Sequence, residues 1–285
     1  MAEQHEKKVT VITASRTGAW SAWRELWGYR ALFVYLFKQT AARSFQGTIL
    51  GPVWLLLRPL IPSIAVIVIF SRIVPISTGD LPYPVFYFGG YLLWGLFASI
   101  VAFVPRAMRM NRGMMKKMYF PRLLIPMASL GIPLAEFLVT LGVFAGVVIY
   151  YAAYGNLQFA PGPQLMLFPL LVLMTVALGV GVGMFVGVLS LVARDVLYTL
   201  PHFLQVWMLL TPVIYGVDFI PEKWRWVLYV LNPMATLVET AKASLLAIGS
   251  VDWLFLGIAA AWVIAVLTLS TMFFLRAEDI FMDDI

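Results

Sequence analysis

Apolar residues in this chain run together in blocks instead of alternating. Six blocks are long enough to cross a bilayer as helices, which takes about 20 residues each: residues 51–73, 83–104, 126–151, 165–192, 197–215 and 253–275. Two further stretches follow different rules. Between Ser15 and Gly47, Trp20, Trp23, Leu26, Trp27, Leu32, Phe33, Leu36 and Phe37 recur at three- and four-residue steps among Arg24, Glu25, Arg30 and Lys38. That spacing predicts an amphipathic helix lying in the membrane interface, as an anchor alone or as an anchor that also docks a partner. From Val217 to Val251 the chain is too polar to span and too apolar for a free loop. Leu228, Tyr229 and Leu231 precede Asn232-Pro233, and Leu237, Val238, Ala241, Leu245 and Leu246 follow at helical spacing. Two short helices broken at Asn232-Pro233 are expected there, dipping into the outer leaflet. Non-helical backbone at that depth needs protein or water around it.

Composition agrees with the membrane reading. Hydrophobic residues make up 62% of the chain and charged residues 12%, against roughly 45–50% and about 25% in an ordinary soluble domain. The expected fold is therefore all-α and polytopic, with six transmembrane helices, an N-terminal interface helix and two short re-entrant helices. Residues 1–50 form the N-terminal segment and 51–285 the membrane domain. No internal repeat or low-complexity linker interrupts it.

The basic residues orient the stack. Of the 20 Lys and Arg, 15 fall before span one, between spans two and three, between spans four and five, and after span six. Arg72, Lys223, Arg225 and Lys242 fall on the other side, and Arg58 lies inside span one. Basic loops favour the cytoplasm, so both termini and the basic loop at 106–122 are expected there. The net charge of +6 is then topological bias, not a nucleic-acid signal. The first fifty residues lack a basic-then-apolar signal pattern. The absence of cysteine excludes disulfides, thiolate metal sites and cysteine nucleophiles.

Little covalent chemistry is in view. No G-x-x-x-x-G-K-[ST] occurs, so nothing cradles nucleotide phosphates, and ATP-driven work would need another polypeptide. The two histidines, His5 and His202, make no paired metal site. Ionisable residues within spans are functional candidates because a charge in hydrocarbon is costly. Glu136 in span three is either a proton-relay acid or a partner for a basic residue; a lone acid favours the second. Arg58, before Pro59, can snorkel. Gly179, Gly183 and Gly187 put two G-x-x-x-G pairs on one face of span four, suited to close helix packing within one subunit or between two. Tyr83, Tyr87, Tyr91 and Trp94 share a face of span two, and Trp207 and Tyr215 lie in span five. Such aromatics suit an interfacial belt or a surface that stacks on sugar rings.

Four segments, in order, resemble the ABC-2 family of transporter permeases, and within it the exporters of O-antigens, capsules and teichoic acids. They are T-I-L-G-P-V-W-L-L-L-R-P-L at the start of span one, K-K-M-Y-F-P-R-L-L-I-P closing the basic loop, A-R-D-V after span four, and T-P-V-I-Y, I-P-E-K-W and L-N-P-M after span five. Where many members carry Arg-Tyr before Leu-Gly, this chain has Arg43-Ser44-Phe45.

The resemblance implies roles. Two copies would pair and bind two ATPase subunits, which would hold the ATP and magnesium; this chain would carry no cofactor and catalyse nothing. Trp23, Arg24, Trp27 and Arg30 would sit on the interface helix. Lys116, Lys117, Phe120, Pro121, Arg122, Arg194 and Asp195 would couple to the ATPase. Trp54, Arg58, Tyr87, Tyr91, Trp94, Trp207 and Tyr215 would line a channel for a lipid-linked polysaccharide crossing the bacterial inner membrane. Arg58 would meet the pyrophosphate head. Membrane lipids complete the partners; nucleic acid is not among them. The rival readings are a permease for a drug or small lipophile, a membrane-embedded sugar- or acyl-transferring enzyme, and an ion-coupled transporter. The enzyme needs a clustered acid, base or metal site, whereas only scattered Glu136, Asp218, Glu222 and Glu239 are found. The ion-coupled transporter usually shows repeats and several intramembrane charges.

Overall fold

The structure, a computed structural model, describes residues 26–74, 76, 78–79, 81–117, 120–155, 162–247 and 249–283, with backbone only at 26–27, 43–44, 116–117 and 278–283. The described residues form helices joined by short turns. A 3₁₀ turn, Leu26–Tyr29, leads into α1, Arg30–Phe45. Gly47 and Gly51, both at positive φ, shape the turn that follows, a conformation glycine takes without a Cβ penalty. Helix α2, Trp54–Val68, extends through a π-helical turn at Ile69–Ile73. Helix α3 is Tyr83–Met110, α4 the short Arg112–Lys117, α5 Leu124–Ala128 and α6 Gly131–Ala153. Helix α7, Phe168–Val192, is preceded by a 3₁₀ turn at Pro163–Leu167. The last four are α8 Val196–Leu209, α9 Glu222–Leu231, α10 Pro233–Leu246 and α11 Trp253–Asp283.

Five segments have the length and apolarity to cross a membrane: Gly51–Ile73, Tyr83–Met110, Leu124–Ala153, Pro163–Val192 and Trp253–Ala277. These are predicted spans one, two, three, four and six. The fifth departs from expectation. Helix α8 has 14 residues, roughly 21 Å at 1.5 Å per residue, short of the ~30 Å hydrocarbon core. Its apolar run continues to Tyr215, but the chain leaves the helix at Leu210 and turns through 211–215, because Pro212 disfavours helical backbone in the residue before it. Periodicity saw the run and missed the turn.

Helix α3 is the axis of the bundle. Its apolar window is 72% buried, against 11% for α2, and α5, α6, α7, α8 and α10 all pack on it. The glycines of α7 make the closest approach. A Cβ at Gly179 would lie 3.1 Å from Ile100, and one at Gly183 would lie 2.9 Å from Val104. On another side, a Cβ at Gly181 would stand 3.1 Å from the backbone of Leu267 in α11. The small-residue face thus packs within one protomer, between α3 and α11.

The expected break between α9 and α10 falls at Asn232. Helix α10 is enclosed by protein, with 12 of its 14 residues buried, which answers the need of the broken backbone for a non-lipid environment. At the opposite end of the bundle α1 packs across α5 and α6. A Cβ on Gly131 would lie 2.5 Å from the Phe37 ring, so glycine at the start of α6 is what lets α1 lie flat against it.

Candidate functional site

The residues expected to couple to a partner come together at one end of the bundle. There α3 ends, with the Asn111 side-chain amide donating to the Ala107 carbonyl at 2.8 Å. Helix α4 and the turn through Phe120, Pro121 and Arg122 follow, and α1 packs beside α5. Phe120 is buried and roots the turn, while Pro121 and Arg122 are half-buried. Arg194 and Asp195 are exposed in the turn between α7 and α8. The Arg109 guanidinium donates to the Ser190 carbonyl and ties that turn to α3. Arg30 is exposed at the start of α1. Trp23 and Arg24 lie outside the described residues, as do the side chains of Trp27, Lys116 and Lys117.

The expected channel residues divide into two groups. Five belong to an aromatic network where α3 meets α8 and the turn after it. Tyr83, Tyr87 and Tyr91 stack in file, with ring centroids 6.3 and 5.4 Å apart. Trp94 and Phe97 meet the Trp207 ring edge-on at 6.3 and 5.0 Å. Several of the tyrosine and tryptophan polar atoms are used internally. Tyr83 donates to the Ile214 carbonyl at 2.9 Å, Ser63 on α2 donates to the Tyr87 hydroxyl at 3.3 Å, and Tyr215 donates to the Leu209 carbonyl at 2.8 Å. Within the protomer Tyr87 and Trp94 are core residues, 1% and 2% exposed, whereas Tyr91, Trp207 and Tyr215 are half-buried. The second group, Trp54 and Arg58, stands near the start of α2.

Arg58 has a partner that explains an intramembrane arginine. Its Nη1 lies 3.2 Å from Glu136 Oε1, with side-chain exposures of 41% and 13%. Ser99 on α3 donates to Glu136 Oε2 at 2.6 Å, and the guanidinium lies 5.8 Å from the centre of the Phe103 ring. Glu136 therefore joins α2, α3 and α6 with both oxygens occupied, the structural role of the two considered for it. Arg58 is held in this pair at the edge of the bundle, with its side chain partly exposed.

Two polar nodes were not singled out from sequence. Asn232, buried at the α9–α10 break, accepts from Trp207 Nε1 at 3.1 Å and donates to Thr211 Oγ1 at 3.0 Å. Lys242, counted above among outer-loop charges, is instead buried in α10. Its ammonium contacts Glu239 Oε1 at 3.0 Å, the Pro212 carbonyl at 2.5 Å and the Tyr215 carbonyl at 3.4 Å, and stands 4.0 Å from the centre of the Phe86 ring. The available signals were the i, i+3 Glu-x-x-Lys pair and an asparagine before proline. Both nodes fasten the turn after α8 to α10. Among the described residues no three His, Asp or Glu side chains lie close enough together to hold a metal ion.

The described residues thus form a helical bundle with charged elements gathered at one end and aromatic side chains packed in its interior. The description of the ABC-2 type transporter family matches residues 31–246, and the chain belongs to that family. Such permeases are transport subunits and in general work with ABC ATPase partners. The chain is also similar to the O-antigen export system permease protein RfbA of Myxococcus xanthus, at 26% identity over 221 residues, 77% of this chain and 82% of the relative. Two proteins of the same description from Klebsiella pneumoniae are 26% and 25% identical over 211 residues, 73% of this chain and 77% of each relative.

Proposed function

We propose that this chain is the membrane-spanning subunit of an exporter that moves a lipid-linked polysaccharide across the bacterial inner membrane, driven by a separate ATPase. The observation that carries the proposal is the similarity to three O-antigen export permeases over roughly three-quarters of the chain. Two copies form the pathway. Helices α2 and α8 support this, because α2 is the least buried span and α8 carries exposed Tyr198, Phe203, Val206 and Leu209, leaving faces for a second copy and for substrate. Trp54, Arg58, Tyr91, Trp207 and Tyr215 serve the pathway from these helices, from α3 and from the turn after α8, with Tyr87 and Trp94 packed behind them. Sugar rings, apolar on their C–H faces, stack on such aromatics.

Two ATPase subunits, holding ATP and magnesium, dock at the end where α1, α4 and the α7–α8 turn converge. Residues 1–50 and both termini are cytoplasmic, as the basic bias directs. ATPase motion enters through α4, Phe120, Pro121 and Arg122, with Lys116 and Lys117 on the same loop, and through Arg194 and Asp195; no bond is made or broken in this chain. The test is deletion of the chain in its host, with surface and cell-internal polysaccharide measured, and affinity purification of the tagged protein. Polymer trapped inside the cell, released by the restored chain, together with a co-purifying ATPase, is the expected result. Normal surface polysaccharide in the deletion strain, or no ATPase in repeated mild-detergent or nanodisc preparations, refutes it.

A further inference from the structure

Helix α2 is fastened unevenly along its length. Beyond Pro62, Ser63 donates to the Tyr87 hydroxyl at 3.3 Å, the Phe70 and Tyr83 rings stand 6.2 Å apart, and Val66, Ile67 and Phe70 pack against the buried core. Before Pro59 the packing is thin. Trp54, Leu55, Leu56 and Leu57 do not join that core. Among the described residues, the contact of Arg58 with Glu136 is the one side-chain hydrogen bond or ion pair made by residues 54–58. Both ends of this stretch are built to turn. Of residues 46–53, which lead into it from α1, all but Gly51 are exposed, and a Cβ on Gly47 or Gly51 would meet nothing within 4 Å. At the other end Pro59 and Pro62 lie inside the helix and withhold the i→i−4 donors from the carbonyls of Leu55 and Arg58. Prolines are where helices kink sharply.

Glu136 on α6 holds this stretch in place. Ser99 on α3 donates to its Oε2 at 2.6 Å and leaves Oε1 for Arg58, 3.2 Å away. The pair is asymmetric, with the carboxylate 13% exposed and the guanidinium 41%. Glu136 is anchored in the bundle, and Arg58 sits at its edge beside the Phe103 ring. Breaking the pair leaves each charge a partner. The long arginine stem reaches toward water, and Glu136 keeps the Ser99 hydroxyl. Two arrangements of similar energy, joined by a hinge, are what a switching element requires.

We propose that Glu136 is the positioning residue of a latch: through Arg58 it holds residues 54–58 of α2 against α6, and its release lets them swing about Pro59 and Pro62 while the rest of α2 stays on α3. From Pro62 back to Leu56 is about 9 Å at 1.5 Å per residue, so a kink of about 20° moves Leu56 by about 3 Å. The proposal rests on the exporter reading for one point only, that this movement opens onto the transport pathway.

The chain has no cysteine, so introduced cysteines take spin labels without background. The full-length protein is placed in nanodiscs with one of two label pairs, mixed with a large excess of unlabelled protein so that only distances within one chain are read. Leu56→Cys/Val192→Cys measures from the first third of α2 to the end of α7, which the glycine contacts fix to α3. Ile69→Cys/Leu165→Cys measures the far end of α2. All four positions are exposed. Glu136→Gln is expected to lengthen or broaden the first distance by about 3 Å or more and to leave the second unchanged. Arg58→Gln does the same, and Arg58→Gln/Glu136→Gln goes no further than either single variant, because both act through one contact. Arg58→Lys, which keeps the charge, stays near the native distance. Ser99→Ala removes only the bond that aims Glu136 and gives a smaller shift; it is the variant to read if the Gln variants do not fold. A first distance unchanged in every variant overturns the latch. A shift in both pairs overturns the hinge, since α2 then moves whole. Equal shifts in Arg58→Lys and Arg58→Gln overturn the role of the charge. Neither substrate nor ATPase enters the measurement, so its failure is distinct from that of the deletion experiment.

Discussion

Lys242→Met removes a buried ammonium while keeping the length of the side chain. The native ammonium is 3% exposed and its Glu239 partner 24%, and it also holds the Pro212 and Tyr215 carbonyls. Methionine leaves those carbonyls without this donor, at about 1–3 kcal/mol for a buried unsatisfied group. It also strands the Glu239 carboxylate. Breaking a fully buried pair from one side costs about 3–5 kcal/mol, and the partial exposure of Glu239 trims that figure. The contributions share one site and do not add, so the expected loss is about 3 kcal/mol. Adding Glu239→Gln removes the stranded charge and should recover about 1 kcal/mol, leaving the carbonyl loss in place. Lys242→Arg keeps the charge but should restore the stability only in part, because the wider guanidinium must fit where the lysine Cε packs closely over Gly90. The assay is equilibrium unfolding in mixed micelles, read by the summed fluorescence of the ten tryptophans, Trp207 beside Asn232 among them. A Lys242→Met protein within 0.5 kcal/mol of the unaltered one, or a double variant worse than the sum of the singles, would refute the assignment of Lys242 as the pin between the α8 turn and α10.

The same measurement checks three further changes. Gly183→Val drives a branched side chain against Val104, already 2.9 Å from a Cβ there, and should cost about 1–3 kcal/mol or more by overpacking; Gly187→Ala should cost less, because it meets the movable thioether end of Met108. Ala247 closes α10 in the left-handed region at φ 55°, so Ala247→Gly should raise stability by about 0.5–1 kcal/mol. Trp207→Phe should cost about 1 kcal/mol for its hydrogen bond to Asn232, whereas Asn232→Ala, which leaves the Trp207 Nε1 without this acceptor and removes the donor to the Leu210 carbonyl and Thr211 Oγ1, should cost about 2–3 kcal/mol; equal losses would mean that Asn232 is not the centre of that node.

Sequence carried the architecture well where the bilayer itself imposes the rule. Span length and the cost of buried charge act on single segments, so five spans, the α9–α10 break and the pairing of Glu136 with a basic residue could be read from one chain. Partnership between segments was less accessible. The tyrosine file of α3 has the same spacing whether it faces headgroups, a pore or other helices, and only the fold shows its hydroxyls turned toward Ile214 and Ser63. Lys242 looked like an outer-loop charge because its acceptors, Pro212 and Tyr215, lie 30 and 27 residues away. The shortness of α8 was hidden for a related reason: hydropathy sums over an apolar run and is insensitive to where the backbone leaves the helix.

In lipid, apolar side chains gain little by leaving hydrocarbon for another helix, so close approach and polar contacts decide which helices stay together. Both devices are present here, in different places. Helices α3, α7 and α11 are joined through glycines, where backbone approach leaves no slack for a methyl group. The peripheral helices are held by polar groups: α2 by Arg58–Glu136 and Ser63–Tyr87, α8 by Trp207–Asn232, and the turn beyond it by Lys242. Glycine contacts resist sliding because the clash is immediate. A hydrogen bond or ion pair can exchange for another of similar energy, above all where one member, as with Arg58, is 41% exposed. The protomer thus combines close-packed seams between α3, α7 and α11 with two outer helices fastened at a few polar points, and of the spans α2, 11% buried, is the one the single chain leaves most uncovered.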